Sequence, residues 1–209
     1  MRILNKFKLS PLVALIDIKT FGHTENAVIA SMACVIVNVV KSRVVDECYI
    51  RCQTEFQTNR ALDEASIAFW RQQRFNNPNA WQELFSPNMP RQPLEQALQH
   101  LSNFIHQHFP TNSVVQIMGN RAEFDNVILS NAYQQTGVKQ PWFEHENQSL
   151  ASMIWLAKML FGYDPQCSIP FKGTQHLALH DAQHQAKVLL AIMDKLFMCT
   201  ADHLEAEIA

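Results

Sequence analysis

The sequence predicts an α/β domain built on a mixed central sheet flanked by helices. Three observations predict it. The first third of the chain is made of apolar and β-branched runs of strand length, joined by connections short enough to favour antiparallel neighbours. Most of the rest carries apolar residues at three- and four-residue steps, the mark of helices that bury one face. A further β-branched run, Val114 to Met118, interrupts the helical stretches, so strands and helices mix in the second half.

Taken in order, Leu12 to Ile16 is a continuous apolar run ending at Asp17, which suits a buried central strand. Ala27 to Val37 is a second, β-branched run, followed by a turn position at Asn38. Ser42 to Cys52 alternates and reads as a third, less buried strand. A helix is predicted over Asp63 to Gln73, with Asp63 or Ser66 as its N-terminal cap. Pro78 to Phe85 reads as a short helix. Ser86 to Pro93 holds three prolines and is a loop. In Leu94 to His108, Leu94, Leu98, Leu101 and Ile105 make one apolar stripe. The fourth strand stops at Gly119. Helices over Phe124 to Gln135 and Leu150 to Phe161 follow, ending near Gly137 and Gly162. A long helix over Thr174 to Met198 closes the fold. No repeat or low-complexity tract divides the chain, and one domain over 1–209 is expected, with its core at about 12–199.

Composition excludes several function classes. The chain has 209 residues, 5 of them Gly, and no two glycines lie close together. A glycine-rich loop that wraps a phosphate in backbone N–H groups is therefore absent, and any phosphate must be met by metals or side chains. The net charge of -2 lacks the basic excess of a protein that wraps duplex nucleic acid. A strand end in a small cleft is still compatible with it. The 5 Cys are an odd number with no paired CxxC. Cys48 and Cys52, four apart on a strand, are separated by about 13 Å, too far to share an ion, and read as reduced thiols. The opening apolar run is broken by Pro11, stopped by Asp17 and followed by no small-residue cleavage site. No stretch approaches the length of a membrane span. The expectation is a cytoplasmic protein without a membrane partner.

Asp17 ends the first strand, Asp125 opens a helix just after the fourth, and Asp181 lies five residues after His176 in the last helical stretch. Strand ends of α/β sheets are where sites assemble. Carboxylates there suit hard divalent cations, Mg²⁺ or Mn²⁺. Taken singly, each also reads as a turn, a helix-terminal charge or a solvated face.

Their joint order carries more. Val13 to Gly22 (VALIDIKTFG) resembles the first motif of the DEDDh 3′–5′ exonucleases, a superfamily of proofreading and RNase T-like enzymes with a ribonuclease H-like fold. Gly119 to Asn126 (GNRAEFDN) is similar to the second motif, and His176 followed by Asp181 to the third. Ser66 to Gln73 (SIAFWRQQ), with Pro141-Trp142, is similar to the exodeoxyribonuclease VIII and phage exonuclease A-like branch. The resemblance spans about residues 12 to 195. It implies two divalent ions, Mg²⁺ or Mn²⁺, on Asp17, Asp125 and Asp181, with His176 as general base for the attacking water. It also implies a single-stranded DNA or RNA 3′ end as substrate. Thr20, Phe21 and Gly22 would meet the terminal nucleotide, together with Lys19, Asn126 and Trp70, the rings of Phe21 and Trp70 being available to stack on bases. Relatives often form homodimers.

One departure bears on the chemistry. The family's first motif is Asp-x-Glu, and here it is Asp17-Ile18-Lys19. An ammonium about 4 Å from a divalent ion, at an effective dielectric near 20, would be repelled by roughly 8 kcal/mol. Either Lys19 swings out along its flexible stem, or its ammonium takes the ion's place and meets a phosphate directly. A second departure, Glu146-Asn147-Gln148 and Ala151-Ser152 where close relatives carry Asn-Asp-Arg and Arg-Thr, looks like a rewritten polar support. The sequence therefore admits an active two-metal exonuclease or a weakened relative that binds nucleic acid or a protein partner. A third reading takes His180-Asp181, with His176 and His184 on one helix face, as an HD-type metal phosphohydrolase. The strand-rich first third opposes it.

Overall fold

The computed structural model describes residues 9–109 and 113–206. Residues 1–8 of the opening stretch read for a targeting signal lie outside them. Among the described residues no helix is long and apolar enough to cross a membrane.

Five strands form one sheet in the order β3-β2-β1-β4-β5. They are β1 (Leu12–Thr20), β2 (Ile29–Asn38), β3 (Arg43–Arg51), β4 (Ile117–Gly119) and β5 (Asn147–Ser149). β2 runs antiparallel to both β1 and β3, whereas β1 pairs parallel with β4, and β4 with β5. The sheet is therefore mixed, and β1 is its switch point. The helices are α1 (Glu64–Asn76), α2 (Pro78–Phe85), α3 (Leu94–His108), α4 (Asp125–Thr136), α5 (Leu150–Phe161), the single turn α6 (Pro165–Ser168), and α7 (Ala178–Ala206).

Period-two alternation along β1 sends its side chains into two cores. Ala14, Ile16 and Ile18 pack with Leu98, Leu101 and Ile105 of α3 and Ile128 of α4. Val13 and Leu15 pack on the other face with Leu150 and Ile154 of α5 and with α7. Ala178, Ala182 and Ala186 of α7 recur every fourth residue in that second core, fully buried. Their small side chains let the helix lie close over β1. A third cluster, Phe21, Val28, Trp70 and Leu84, joins α1 and α2 to the open end of β1.

Three expectations need correction. The long closing helix begins at Ala178, not Thr174. Thr174 to Leu177 form a loop, because the Thr174 amide donates to His180 Nδ1 (2.9 Å) and His176 takes a positive φ of 64°. His176, His180 and His184 consequently do not share a helix face. The fourth strand is shorter than Val114 to Met118 predicts and starts at Ile117. Val114 only bridges Leu9, although Gln116 still accepts from the Ala14 amide (2.9 Å). β5 and α6 were not foreseen. β5 reads Asn-Gln-Ser, polar throughout, and is a strand only because it pairs with β4. At α1 the cap is Asp63, whose carboxylate accepts from the Ser66 amide. Cys48 and Cys52 are buried free thiols.

Candidate active site

The site grows from the row of β1 that faces α7. After Val13 and Leu15 the same row continues with Asp17 and Lys19, so two ionisable side chains prolong an apolar stripe towards the open end of the sheet. α7 brings Asp181 over them. Lys19 Nζ lies 2.5 Å from Asp17 Oδ1 and 2.7 Å from Asp181 Oδ2, with side-chain exposures of 13%, 8% and 16% for Lys19, Asp17 and Asp181. The remaining Asp17 oxygen, Oδ2, accepts from Gln185 Nε2 at 2.8 Å.

Asp125 arrives from the neighbouring parallel strand. Its Oδ1 accepts from the Ile18 amide at 3.1 Å. The approach depends on Gly119, the last residue of β4: a Cβ there would stand 2.5 Å from Asn126 Oδ1 and 2.9 Å from Asp125 Cβ. Only glycine lets the first turn of α4 fold back against the strand end. His176 stands at the rim, half-buried, with its amide on Asp181 Oδ1 (3.3 Å) and its ring edge-on to Phe69 at 5.1 Å. Its left-handed backbone is held by these contacts; such residues cluster at functional sites.

The electrostatics follow from burial. Desolvation pushes Asp17 up to about 6, against the pull of Lys19 and with help from Asp181. Desolvation likewise pushes Asp125 up to about 7, with Asp17 adding to it. Burial works against the Lys19 ammonium, but Asp17 and Asp181 outweigh it and raise its pKa, so it stays charged. Desolvation lowers the His176 pKa, which keeps the imidazole neutral near pH 7.

A cleft of about 400 Å³ is lined by Asp17, Lys19, Asn120, His176, Asp181 and Gln185, among others. Lys19 also walls a smaller pocket of about 180 Å³ with Thr20, Ser66, Phe69 and Trp70.

The structure therefore unites Asp17, Lys19, Asp125, Asp181 and His176, but it recasts the other candidates. Trp70 is 4% exposed and gives its Nε1–H to the Thr20 carbonyl (2.9 Å), so it braces the motif and does not offer an open stacking face. Phe21 is buried against Phe85 and Trp70. The backbone expected to meet a nucleotide is already bonded: Phe21 N to Val28 O, and Gly22 O to Thr20 Oγ1. Asn126 is fully buried and donates to Asn147 Oδ1, which also accepts from Trp142 Nε1. Asn147, in the segment that looked rewritten, is thus a working support. Gln185 and Phe69 were missed. Gln185 was findable, since it lies four residues after Asp181 on one helix and shares its face.

A mixed sheet that gathers three carboxylates at the switch-point strand, beneath a histidine-bearing loop, is the site architecture of the 3′–5′ exonuclease class. The chain belongs to the family described as the 3′–5′ exoribonuclease Rv2179c-like domain, whose model matches residues 13–193. No curated protein sequence matches it. Its fold is similar to that of a 3′-exonuclease that recognises the 3′ end of the histone mRNA stem-loop: TM-score 0.59, 11% identity, 90% of this chain and 83% of that one. It is similar to cell-death related nuclease 4, with TM-score 0.67, 12% identity, and 88% and 64% of the two chains covered. The nuclease domain of 3′hExo, a DEDDh family member solved with rAMP, gives TM-score 0.58 at 12% identity, covering 88% and 92%.

DEDDh exonucleases use divalent metal ions, and the residues present here do not fit a pair of them. The Lys19 ammonium stands between the two carboxylates that would have to share a cation. Among the described residues, no group of three or more His, Cys, Asp or Glu converges as a metal site.

Proposed function

We propose that this domain binds the 3′ ends of single-stranded nucleic acid in the cleft beside Asp17, and that it holds the strand there instead of degrading it. The observation that carries this reading is the Lys19 ammonium, bonded to both Asp17 and Asp181. A fixed cation in that seat offsets one of the two carboxylate charges, and its remaining N–H offers a strand's phosphate a charge-assisted hydrogen bond. Family membership and the nuclease fold support nucleic acid as the ligand. The Ser66 to Gln73 helix supports a place near the exodeoxyribonuclease VIII-like branch.

A second reading, hydrolysis at two divalent ions on Asp17, Asp125 and Asp181, is favoured by one observation. His176 is neutral near pH 7 at the rim of the cleft, where a general base would stand. That reading requires Lys19 to leave its two partners.

Fluorescence anisotropy decides between them. A labelled linear strand should bind in chelator, a circular strand of equal length should compete about tenfold more weakly, and the linear strand should stay full length with Mg²⁺ or Mn²⁺. Equal competition by the circle removes the end-binding reading. Shortening from the 3′ end that requires metal, and that Asp125→Ala abolishes, establishes hydrolysis instead.

A further inference from the structure

Beyond His176 the cleft continues into an open groove of about 660 Å³, the two sharing Phe171, Gln175 and His176. The groove is walled by amides. Gln73 and Asn76 come from the end of α1, Asn77 and Asn79 from the start of α2, and Gln175 from the loop before α7. Among the described residues, no Lys, Arg, Asp or Glu lines it. Arg74 and Lys172 neighbour it in sequence but stand exposed outside the lining.

Two features mark this as a built surface. Gln73 lines the groove although it is only 7% exposed, so packing holds it in place. The walls are also fixed in place. Asn77 Nδ2 donates to the Gln175 carbonyl at 2.6 Å, tying the α1–α2 junction to the loop. The loop is pinned to α7 by the Thr174–His180 bond, and Gly173, at φ 104°, packs so tightly that a Cβ would lie 2.8 Å from the His180 ring. A preformed wall loses little freedom when a ligand binds.

A groove that follows phosphates is lined with Lys and Arg. Amides instead pair with the donor and acceptor edges of bases, and Phe171, partly buried in the wall, adds an aromatic face for stacking. We propose that this groove takes a nucleobase just upstream of the bound strand end, gripping the strand by its base edge and not by its phosphates. The proposal rests on the end-binding reading above and adds how the strand is held.

The test is an abasic scan by anisotropy in chelator, with strands that each lack one base among the last few nucleotides. One abasic position should weaken wild-type binding about fivefold or more, the low end of what a bidentate amide–base pair discriminates. The same position should matter less than about twofold in a Gln73→Leu/Gln175→Ala variant and in Asn79→Ala, whose side chain is exposed and whose fold is safe. The salt dependence should correspond to about one or two phosphates. Ends that bind normally whatever base is missing overturn the groove while sparing the end-binding reading. So does a scan unchanged by all three substitutions, or a salt slope of four or more phosphates. No strand binding at all removes both.

Discussion

Replacing Lys19 by Met removes one charge from a nearly closed cluster, and its consequence can be worked from the geometry. The ammonium lies 2.5 Å and 2.7 Å from its two carboxylates. At an effective dielectric near 20, each attraction is about 6 kcal/mol. Desolvation of all three groups offsets most of that, and removing one member of such a buried set costs about 3–5 kcal/mol. For a domain of this length, that is a fall in Tm of about 10 °C. The cost is largest at pH 8, where Asp17 is ionised with no cation beside it, and shrinks towards pH 5 as Asp17 takes a proton. A divalent cation should then fill the place the ammonium left. At a concentration about 100-fold above its Kd, Mn²⁺ returns about 2.7 kcal/mol. The assay is thermal unfolding of wild type, Lys19→Met and Lys19→Glu, each in chelator and in Mn²⁺. Wild type should not respond to the metal, whereas both variants should, Lys19→Glu more strongly. A wild-type Tm that rises with Mn²⁺ as far as that of Lys19→Glu refutes the reasoning, because the ammonium would then not be holding a cation's place.

Asp125 should make stability depend on pH. Its folded pKa of about 7 lies above the ordinary 3.8, so between about pH 4 and pH 7 the native state keeps a proton that the unfolded chain has released. Its contribution is complete below that window and is lost as pH rises through it. Asp125→Asn, which retains an oxygen for the Ile18 amide, should flatten this trend and stabilise the protein at pH 8 by on the order of 1–3 kcal/mol in urea melts. An unchanged pH profile contradicts it. Trp70→Phe keeps most of the packing but loses the bond to the Thr20 carbonyl, and should cost about 1 kcal/mol. If Trp70 also braces the strand end, hydrogen exchange at the Phe21 amide should quicken; if its rate instead matches wild type after the stability difference is allowed for, the brace is not needed there.

The fold was legible wherever a local pattern and its tertiary partner agreed. α3 keeps the bounds that its periodicity predicts, because it buries the stripe that the sequence displays, and α2 and α5 also keep the bounds read for them. Asp17 was read as the end of the first strand, but β1 runs on through Lys19 to Thr20 because those residues keep pairing with β2. Asp125 and Asp181 were legible because each lies in the first turn of a helix. Phe21 and Trp70 were not, since an aromatic side chain in a stacking site and one in a core look alike until burial is known. The start of α7 was misread for a related reason. Thr174 to Leu177 hold no helix breaker, and it is the His180 ring and the Asp181 carboxylate, one turn on, that bond their amides in a non-helical path.

By itself, the sequence determined the α/β class, most of the elements, the aspartates and the Lys at position 19, because these follow from residue type and short-range spacing. Where the Lys19 ammonium points was decided only in the tertiary structure. Asp17 is two residues from it, but Asp181 is on a helix 162 residues further along, brought over β1 by the alanines of α7. No local pattern encodes a contact made by two elements packing face to face. The same packing created the amide groove, whose walls come from α1, α2 and the loop before α7, and which no single stretch of the chain displays.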